Sequence, residues 1–392
     1  MKILQVTNFF KPSWEAGGIA RVAYEISKNL VQQGHEVTVF TTDGFKSRLK
    51  TIKNKPVNVD GINTYYFRNL SNYLTKRNIV IPYYLPFIAR IKIQDFDVIH
   101  IHEHRTLLAV IVHYYSKKYN IPYVLQAHGT LPNTIGKQNL KKIFDVLWGN
   151  KILKDASKLI SVSNTEVDQY LQMNVPIEKM VIIPNGIDVD SLSSLPEKGS
   201  FRARYHINQK HAILYLGRLH KIKGVDFLLR SFVELVKDID DSVLILAGPD
   251  DGYKDKAKEQ IREFGLEKKV IFTGYMGPMD KISAYLDADI LVYPSSFEIF
   301  GLVPFEAIMS GTPVIVTDDC GCSEFIKRAS CGYLVKYGDV TDFKCKMRLM
   351  LENPEIGNKF VENGQKYITN NLTWPLICKK METLYENCIY KV

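Results

Sequence analysis

A chain of 392 residues with 46% hydrophobic and 24% charged side chains has an ordinary globular composition and is too long for a single core, so two domains are expected. The net charge of +9 lies wholly in residues 1–190, which hold 24 Lys and Arg against 15 Asp and Glu, while the remainder balances at 27 each. All six cysteines fall after residue 319, with no CxxC pair and no histidine beyond His220, which argues against a disulfide scaffold or a zinc site and for free thiols in a reducing compartment.

The opening, MKILQVTNFF, carries too short an apolar run for a secretion signal, and no uncharged apolar run of 18 residues follows. A cytoplasmic protein without a membrane span is expected. A first strand over 3–10 leads through KPSWEAGG into a helix whose apolar face is Ile19, Val22, Ile26, Leu30 and Val31, closed by Gly34, and strand EVTVFTT follows. Gly17 and Gly18 at the start of that helix let the backbone approach a phosphate, although the spacing is not the G-x-G-x-x-G of a dinucleotide site. Residues 44–61 read as a polar, lysine-rich surface loop. After strand INTYYF, the stretch 72–93 mixes Tyr, Ile, Leu and Phe with Lys76, Arg77, Arg90 and Lys92, and Pro82 and Pro86 keep it from being one helix. Two readings stand for it: core packing, or a surface that docks on a membrane or a lipid-linked acceptor.

DVIHIHEH is a strand that places His100, His102 and His104 on one face, either as metal ligands or as a row opening on a cleft at the strand's carboxyl end. Strand PYVLQAHGT ends in His128-Gly129, on the edge where open α/β sheets bind ligands. One helix over 139–156, strand KLISVS, a short helix and strand MVIIPNGID complete the first half, and residues 188–209 have linker composition. The second half repeats the alternation. HAILYLGR ends in Gly217-Arg218, Lys221, Lys223 and Gly224 precede a helix, and SVLILAGPDDG, KVIFTGY and ADILVYP are further strands. Strands alternating with helices in both halves predict an α/β protein of two Rossmann-like, doubly wound parallel sheets.

Residues 288–324 form the most informative stretch: a strand, a loop carrying Glu298, a helix after Pro304 carrying Glu306 and ended by Gly311, then strand PVIVT. Such a helix aims its N-terminal N–H groups at the sheet's carboxyl edge, where an anion belongs. The spacing SxFExFGxxPxEA, with its E-x7-E pair, resembles the large family of retaining, nucleotide-sugar-dependent glycosyltransferases of the GT-B fold. Gly17, Gly18 and Arg21 match that family's GGxxR element, His128 its histidine beside the donor sugar, and PNGID its crossing between domains. Arg218 and Lys223 match its R-x4-K pair, and Thr273, Gly274 and Tyr275 its base-binding loop. Gly321 and Glu324 keep part of a GG-x-x-E ending, with Cys322 in place of a small residue.

The resemblance implies an acceptor-binding domain over 1–190, a nucleotide-sugar-binding domain over 191–371 and a terminal helix over 372–392 that crosses back to the first. It assigns the ribose hydroxyls to Glu306, the transferred sugar to Glu298, and backbone N–H contacts to Phe300, Gly301 and Leu302. Arg218 and Lys223 then clamp the leaving diphosphate in place of a metal, and His128 acts as acid, base or hydrogen-bond donor. No cofactor or metal is expected: of the D-x-D triplets, Asp95-Phe-Asp97 precedes a strand, on the sheet's far edge, and Asp188-Val-Asp190 reads as linker. Retention by front-face attack is implied, and no covalent nucleophile stands out. A same-fold epimerase or phosphorylase and a nucleotide-sugar-binding protein without transfer are the alternatives.

The basic first half suits an anionic membrane better than nucleic acid, because no nucleic-acid module is legible and the second half is neutral. Segments 73–92 and 137–154 supply cations and aromatics together, the latter through Lys141, Lys142, Phe144 and Trp148. The expectation is a hexosyltransferase at the inner face of the plasma membrane, working on a glycan or lipid-linked precursor of envelope polysaccharide or glycolipid. A soluble enzyme acting on a small acceptor or nucleating a storage glucan is the alternative.

Overall fold

The computed structural model describes residues 1–45, 48–49, 55–77, 79–132, 138–189 and 195–390. The chain forms two compact units, Met1–Gly186 with Trp374–Val392, and Ile187–Thr373. The first boundary therefore falls at Gly186 rather than residue 190, and the returning segment starts at Trp374 rather than 372.

The first unit is built on eight strands: β1 (Lys2–Val6), β2 (Glu36–Thr42), β3 (Pro56–Val59), β4 (Ile62–Phe67), β5 (Val98–His102), β6 (Tyr123–Gln126), β7 (Lys158–Ser161) and β8 (Met180–Ile182). Their order is β3-β4-β2-β1-β5-β6-β7-β8, parallel except that β3 runs antiparallel to β4. Leu4 and Val6 face a core shared with helices Leu85–Lys92, Leu107–Tyr119 and Asn150–Asp155. Ile3 faces the opposite core, shared with helices Gly18–Gln32 and Trp374–Ile389. A strand buried on both faces needs no polar alternation, which is why the opening reads as a plain apolar run. Gly186 packs against the Trp374 indole, where a Cβ would come within 2.3 Å of Cδ2.

The second unit has six parallel strands, β9 (His211–Leu216), β10 (Ser242–Ala247), β11 (Val270–Gly274), β12 (Ile290–Tyr293), β13 (Val314–Thr317) and β14 (Tyr333–Val335), in the order β11-β10-β9-β12-β13-β14. In each sheet the chain starts near the middle and winds outward both ways, which opens the carboxyl edge beside the first strand for ligands.

Several expected elements differ. The first strand stops at Val6, four residues short of Phe10. Part of the expected loop 44–61 is strand β3, while residues 46, 47 and 50–54 of it lie outside the described residues. The single helix over 139–156 is instead Gln138–Phe144, a π turn over Asp145–Gly149, and Asn150–Asp155. Asp145 is drawn inward at that turn by a bidentate Arg105, with Nε to Oδ1 and Nη2 to Oδ2 both 2.8 Å. A short helix, Ser200–Arg204, lies in the expected linker. The distant Asp287 carboxylate holds its start, accepting Gly199 N–H at 2.5 Å and Phe201 N–H at 2.8 Å.

Candidate active site

In the second unit, the loop after β12 is fastened before it carries any function. Thr317 Oγ1 donates to Ser295 O at 2.5 Å, and Gly321 N–H donates to Glu298 O at 2.7 Å. Ile222 O accepts from Ser296 N–H at 2.9 Å and from the Ser295 and Ser296 hydroxyls at 3.1 Å each. That contact places the short 3-10 turn Lys221–Lys223 against the loop. The approach requires glycine at 224, where φ is +69° and a Cβ would sit 1.9 Å from Pro294 O. Lys223 Nζ consequently forms an ion pair with Glu298 Oε2, and the Tyr293 hydroxyl donates to the same oxygen at 2.7 Å. Burial, and then the charge on Glu298, push the Tyr293 phenol well above its usual range, so it stays a donor.

Phe300 is buried and stacks on Phe305 at 5.2 Å between ring centroids, with Phe325 edge-on at 5.4 Å. Its side chain is an anchor. Gly301, at φ +75°, then turns the chain into helix Leu302–Met309, which begins two residues ahead of Pro304 and ends at Met309, ahead of Gly311. Cys322 is buried beneath this turn, its Sγ 3.4 Å from where a Cβ on Gly301 would sit, so its thiol fills the space under the loop. Glu306 Oε2 accepts from Tyr285 OH at 2.9 Å and pairs with Lys281 at 2.7 Å. Arg218 does not join Lys223: its exposed guanidinium pairs with Asp251 at 2.5 Å, a contact of about 1 kcal/mol or less at such exposure. At the end of β11, Thr273 Oγ1 donates to Gly274 O at 3.2 Å and Tyr275 is 77% exposed.

In the first unit, Gly17 and Gly18 follow β1, and among the described residues no atom beyond their chain neighbours lies within 4 Å of a Cβ built on either. His128 follows β6 in a left-handed conformation, φ +54°. Two buried side chains impose that turn: Glu166 accepts Gly129 N–H at 2.6 Å and Val162 N–H at 2.9 Å, and the Tyr170 hydroxyl accepts Ala127 N–H at 3.0 Å. Burial pushes Glu166 up to about 7, against those two N–H bonds. His102 and His100 stack at 4.3 Å, and burial drives His100 down to about 3, keeping it neutral. His104 departs from the expected row. It lies beyond the end of β5 and 3.6 Å from Asp145. Burial works against the Asp145 carboxylate, but the nearby His104 imidazole and the hydrogen bonds from Arg105 outweigh it and hold the group well below its usual range. Among the described residues no cluster of three or more His, Cys, Asp or Glu is placed to hold a metal ion.

Asp95 pairs with Lys92, and Asp97 accepts Lys2 N–H at 2.7 Å on the amino side of β1 and β5, away from the ligand edge. Asp190 lies outside the described residues. Two further D-x-D triplets, absent from the sequence reading, are committed to structure: Asp238 pairs with Lys344 and Arg348, Asp240 with Lys269, Asp287 caps the helix at 200, and Asp289 pairs with Arg202.

Residues 16–191 match the family described as Glycosyltransferase Family 4, and residues 198–367 match Glycosyl transferases group 1. The chain belongs to the group 1 glycosyltransferases. It is similar to the uncharacterized glycosyltransferase MJ1607 of Methanocaldococcus jannaschii, 26% identical over 98% of both chains. It is also similar to the phosphatidyl-myo-inositol mannosyltransferase of Mycobacterium leprae, 25% identical over 74% of each. Among solved structures, Anabaena Alr3699/HepE in complex with UDP-glucose aligns with a TM-score of 0.76 at 20% identity, over 98% of this chain and all of that one. Sucrose-phosphate synthase from Thermosynechococcus elongatus aligns at 0.74 and 20% identity over the whole of both. The fold of this glycosyltransferase is therefore GT-B.

Proposed function

We propose that this glycosyltransferase moves a sugar, with retention and without a metal ion, from a nucleotide-diphosphate sugar to a glycan or lipid-linked acceptor at an anionic membrane surface. The observation that carries the reading is the pairing of Lys223 with Glu298 at the carboxyl edge of the second unit's sheet. A donor entering there offers its sugar hydroxyls to Glu298 and its diphosphate to the Lys223 ammonium, whose charge meets the charge developing on the leaving oxygen. Arg218 adds its guanidinium on releasing Asp251, and the start of helix Leu302–Met309 adds its dipole. Glu306, oriented by Lys281 and Tyr285, accepts the ribose hydroxyls, Tyr275 stacks on the base, and His128 is assigned to the transferred sugar. A nucleotide-sugar screen for thermal stabilisation, followed by transfer assays in excess chelator, tests this, with uridine donors first because solved neighbours hold UDP and UDP-glucose. Chelator-abolished transfer restored by magnesium would overturn the metal-free mechanism. Free sugar-phosphate turnover would identify a phosphorylase, and donor binding without transfer or hydrolysis a binding protein.

The membrane half of the reading is supported by one layer of the first unit. Helices Leu85–Lys92, Leu107–Tyr119 and Asn150–Asp155 cover one face of the sheet and leave Phe87, Ile91 and Tyr114 exposed among Arg90, Lys117, Lys118, Lys151 and Lys154. The adjoining π turn adds exposed Val146 and Trp148. Cations worth about 1 kcal/mol each near an anionic leaflet, interleaved with aromatics, are what a peripheral site requires. No helix among the described residues is long and apolar enough to cross a bilayer. Co-sedimentation with anionic vesicles should be strong at low salt and weaken as salt screens the charges; protein left in the supernatant at low salt would sink this half alone.

A further inference from the structure

A row of buried polar side chains crosses the first unit from its C-terminal helix to its ligand edge. Tyr385 of helix Trp374–Ile389, Gln5 of β1 and His102 of β5 are all buried, and His128 ends the row. Gln5 Nε2 lies 3.5 Å from Tyr385 OH, Gln5 Oε1 lies 2.8 Å from His102 Nε2, and His102 Nδ1 lies 2.8 Å from His128 Nε2. The His102 and His128 rings are nearly coplanar, inclined by 14°. Tyr385 OH also lies 2.8 Å from His100 Nδ1.

The chemistry of these groups fixes the protons. An amide oxygen only accepts, so the hydrogen in the Gln5–His102 contact belongs to His102 Nε2. A neutral imidazole has one N–H, so His102 Nδ1 is bare and must accept from His128 Nε2–H. His128 in turn keeps a bare Nδ1. Turning the Gln5 amide end for end reverses every step and would make that nitrogen a donor. The structure places Gln5 Nε2 toward Tyr385 OH and Oε1 toward His102, and in that arrangement the Tyr385 hydroxyl accepts from the amide and has its own hydrogen available for His100 Nδ1.

We propose that Gln5 and Tyr385 are positioning residues that, through His102, hold His128 with Nδ1 as a hydrogen-bond acceptor for a hydroxyl of the transferred sugar. The inference rests on the assignment of His128 to that sugar. It reaches beyond it by giving the histidine one tautomer and naming the residues that choose it.

Imidazole nitrogen NMR on the full chain with labelled histidine reads the tautomers directly, His102→Asn and His128→Asn supplying the assignments. His102 and His128 should both show Nε2–H with an unprotonated Nδ1. Gln5→Leu should mix the two forms at His128 and lower kcat/KM by about tenfold, the scale of one neutral hydrogen bond, while Gln5→Glu, which still accepts from His102, restores the tautomer. Tyr385→Phe removes only a hydroxyl and should mix the tautomers with helix Trp374–Ile389 still docked, keeping the idea testable if Gln5→Leu does not fold. A purely packing role would lower the melting temperature and leave the imidazole signals unmoved. An Nδ1–H form at His128 in the unaltered protein would overturn the proposal and leave the transfer reading in place. Unchanged kinetics in both Gln5→Leu and His128→Ala would overturn it by removing His128 from the sugar.

Discussion

Lys223 reaches Glu298 because the turn that carries it is pinned to the loop by a single carbonyl, Ile222 O, on which three donors converge. Charge preorganised this way acts chiefly in the transition state. Lys223→Ala should therefore lower turnover by about 10² or more, a scale seen when one such donor is lost, and steady-state kinetics in chelator will show it. The two glutamates should separate. Glu298→Ala removes a sugar contact and releases Lys223, lowering kcat, whereas Glu306→Ala removes uniform ribose binding and raises KM for the donor. Both variants matching the parent would return these residues to mere surface carboxylates. Glu298, Glu306 and Lys223 could be picked out as candidates because their spacing along the chain is itself the signal, and His128 because it stands at the end of a strand. Their supports could not. Tyr293, Tyr285, Lys281, Gln5 and Glu166 reach them through space, and nothing in the local pattern of a lone Tyr or Gln marks it as a partner.

At the level of elements, the strand and helix alternation could be read because buried parallel strands are apolar runs and their covering helices keep a 3.6-residue stripe. Long-range contacts decided the rest: Arg105 bends a helix at Asp145, and Asp287 starts one at Ser200. Gly224 belongs to this scale, since it joins a turn to the loop after β12. Gly224→Ala should cost about 2 kcal/mol or more from its left-handed backbone and its clash with Pro294 O, lowering the unfolding midpoint by roughly 4–8 °C for a unit of this size. β5 makes a pH-dependent claim through His100. Its folded-state value near 3 lies below the unfolded value of 6.5, so the stability it contributes is present above about pH 6.5 and is lost as pH falls toward 3, by up to about 1.4 kcal/mol per pH unit. Urea unfolding should show the parent's margin over His100→Gln shrinking between pH 7 and pH 5. A margin independent of pH would mean that the imidazole is not held neutral.

Over the whole molecule, the second unit is an insertion in the first. The chain leaves at Gly186 and returns at Trp374, and Ile187 N–H donates to Leu372 O at 2.6 Å, tying the insertion's two ends together. A stop after Thr373 should leave the second unit's melting transition intact and abolish the first unit's, because Trp374, Ile377, Met381 and Tyr385 vanish from its core; calorimetry separates the two. This arrangement also sets a timetable for the newborn chain. The half that leaves the ribosome first cannot close until helix Trp374–Ile389 has emerged, and at about 5–20 residues per second the stretch 187–392 takes roughly 10–40 s to make. Throughout that interval one face of the nascent sheet, with Ile3, Val37, Val98 and Val124, has helix Gly18–Gln32 but not helix Trp374–Ile389 as cover and is open to holding chaperones, while the second unit is still being made.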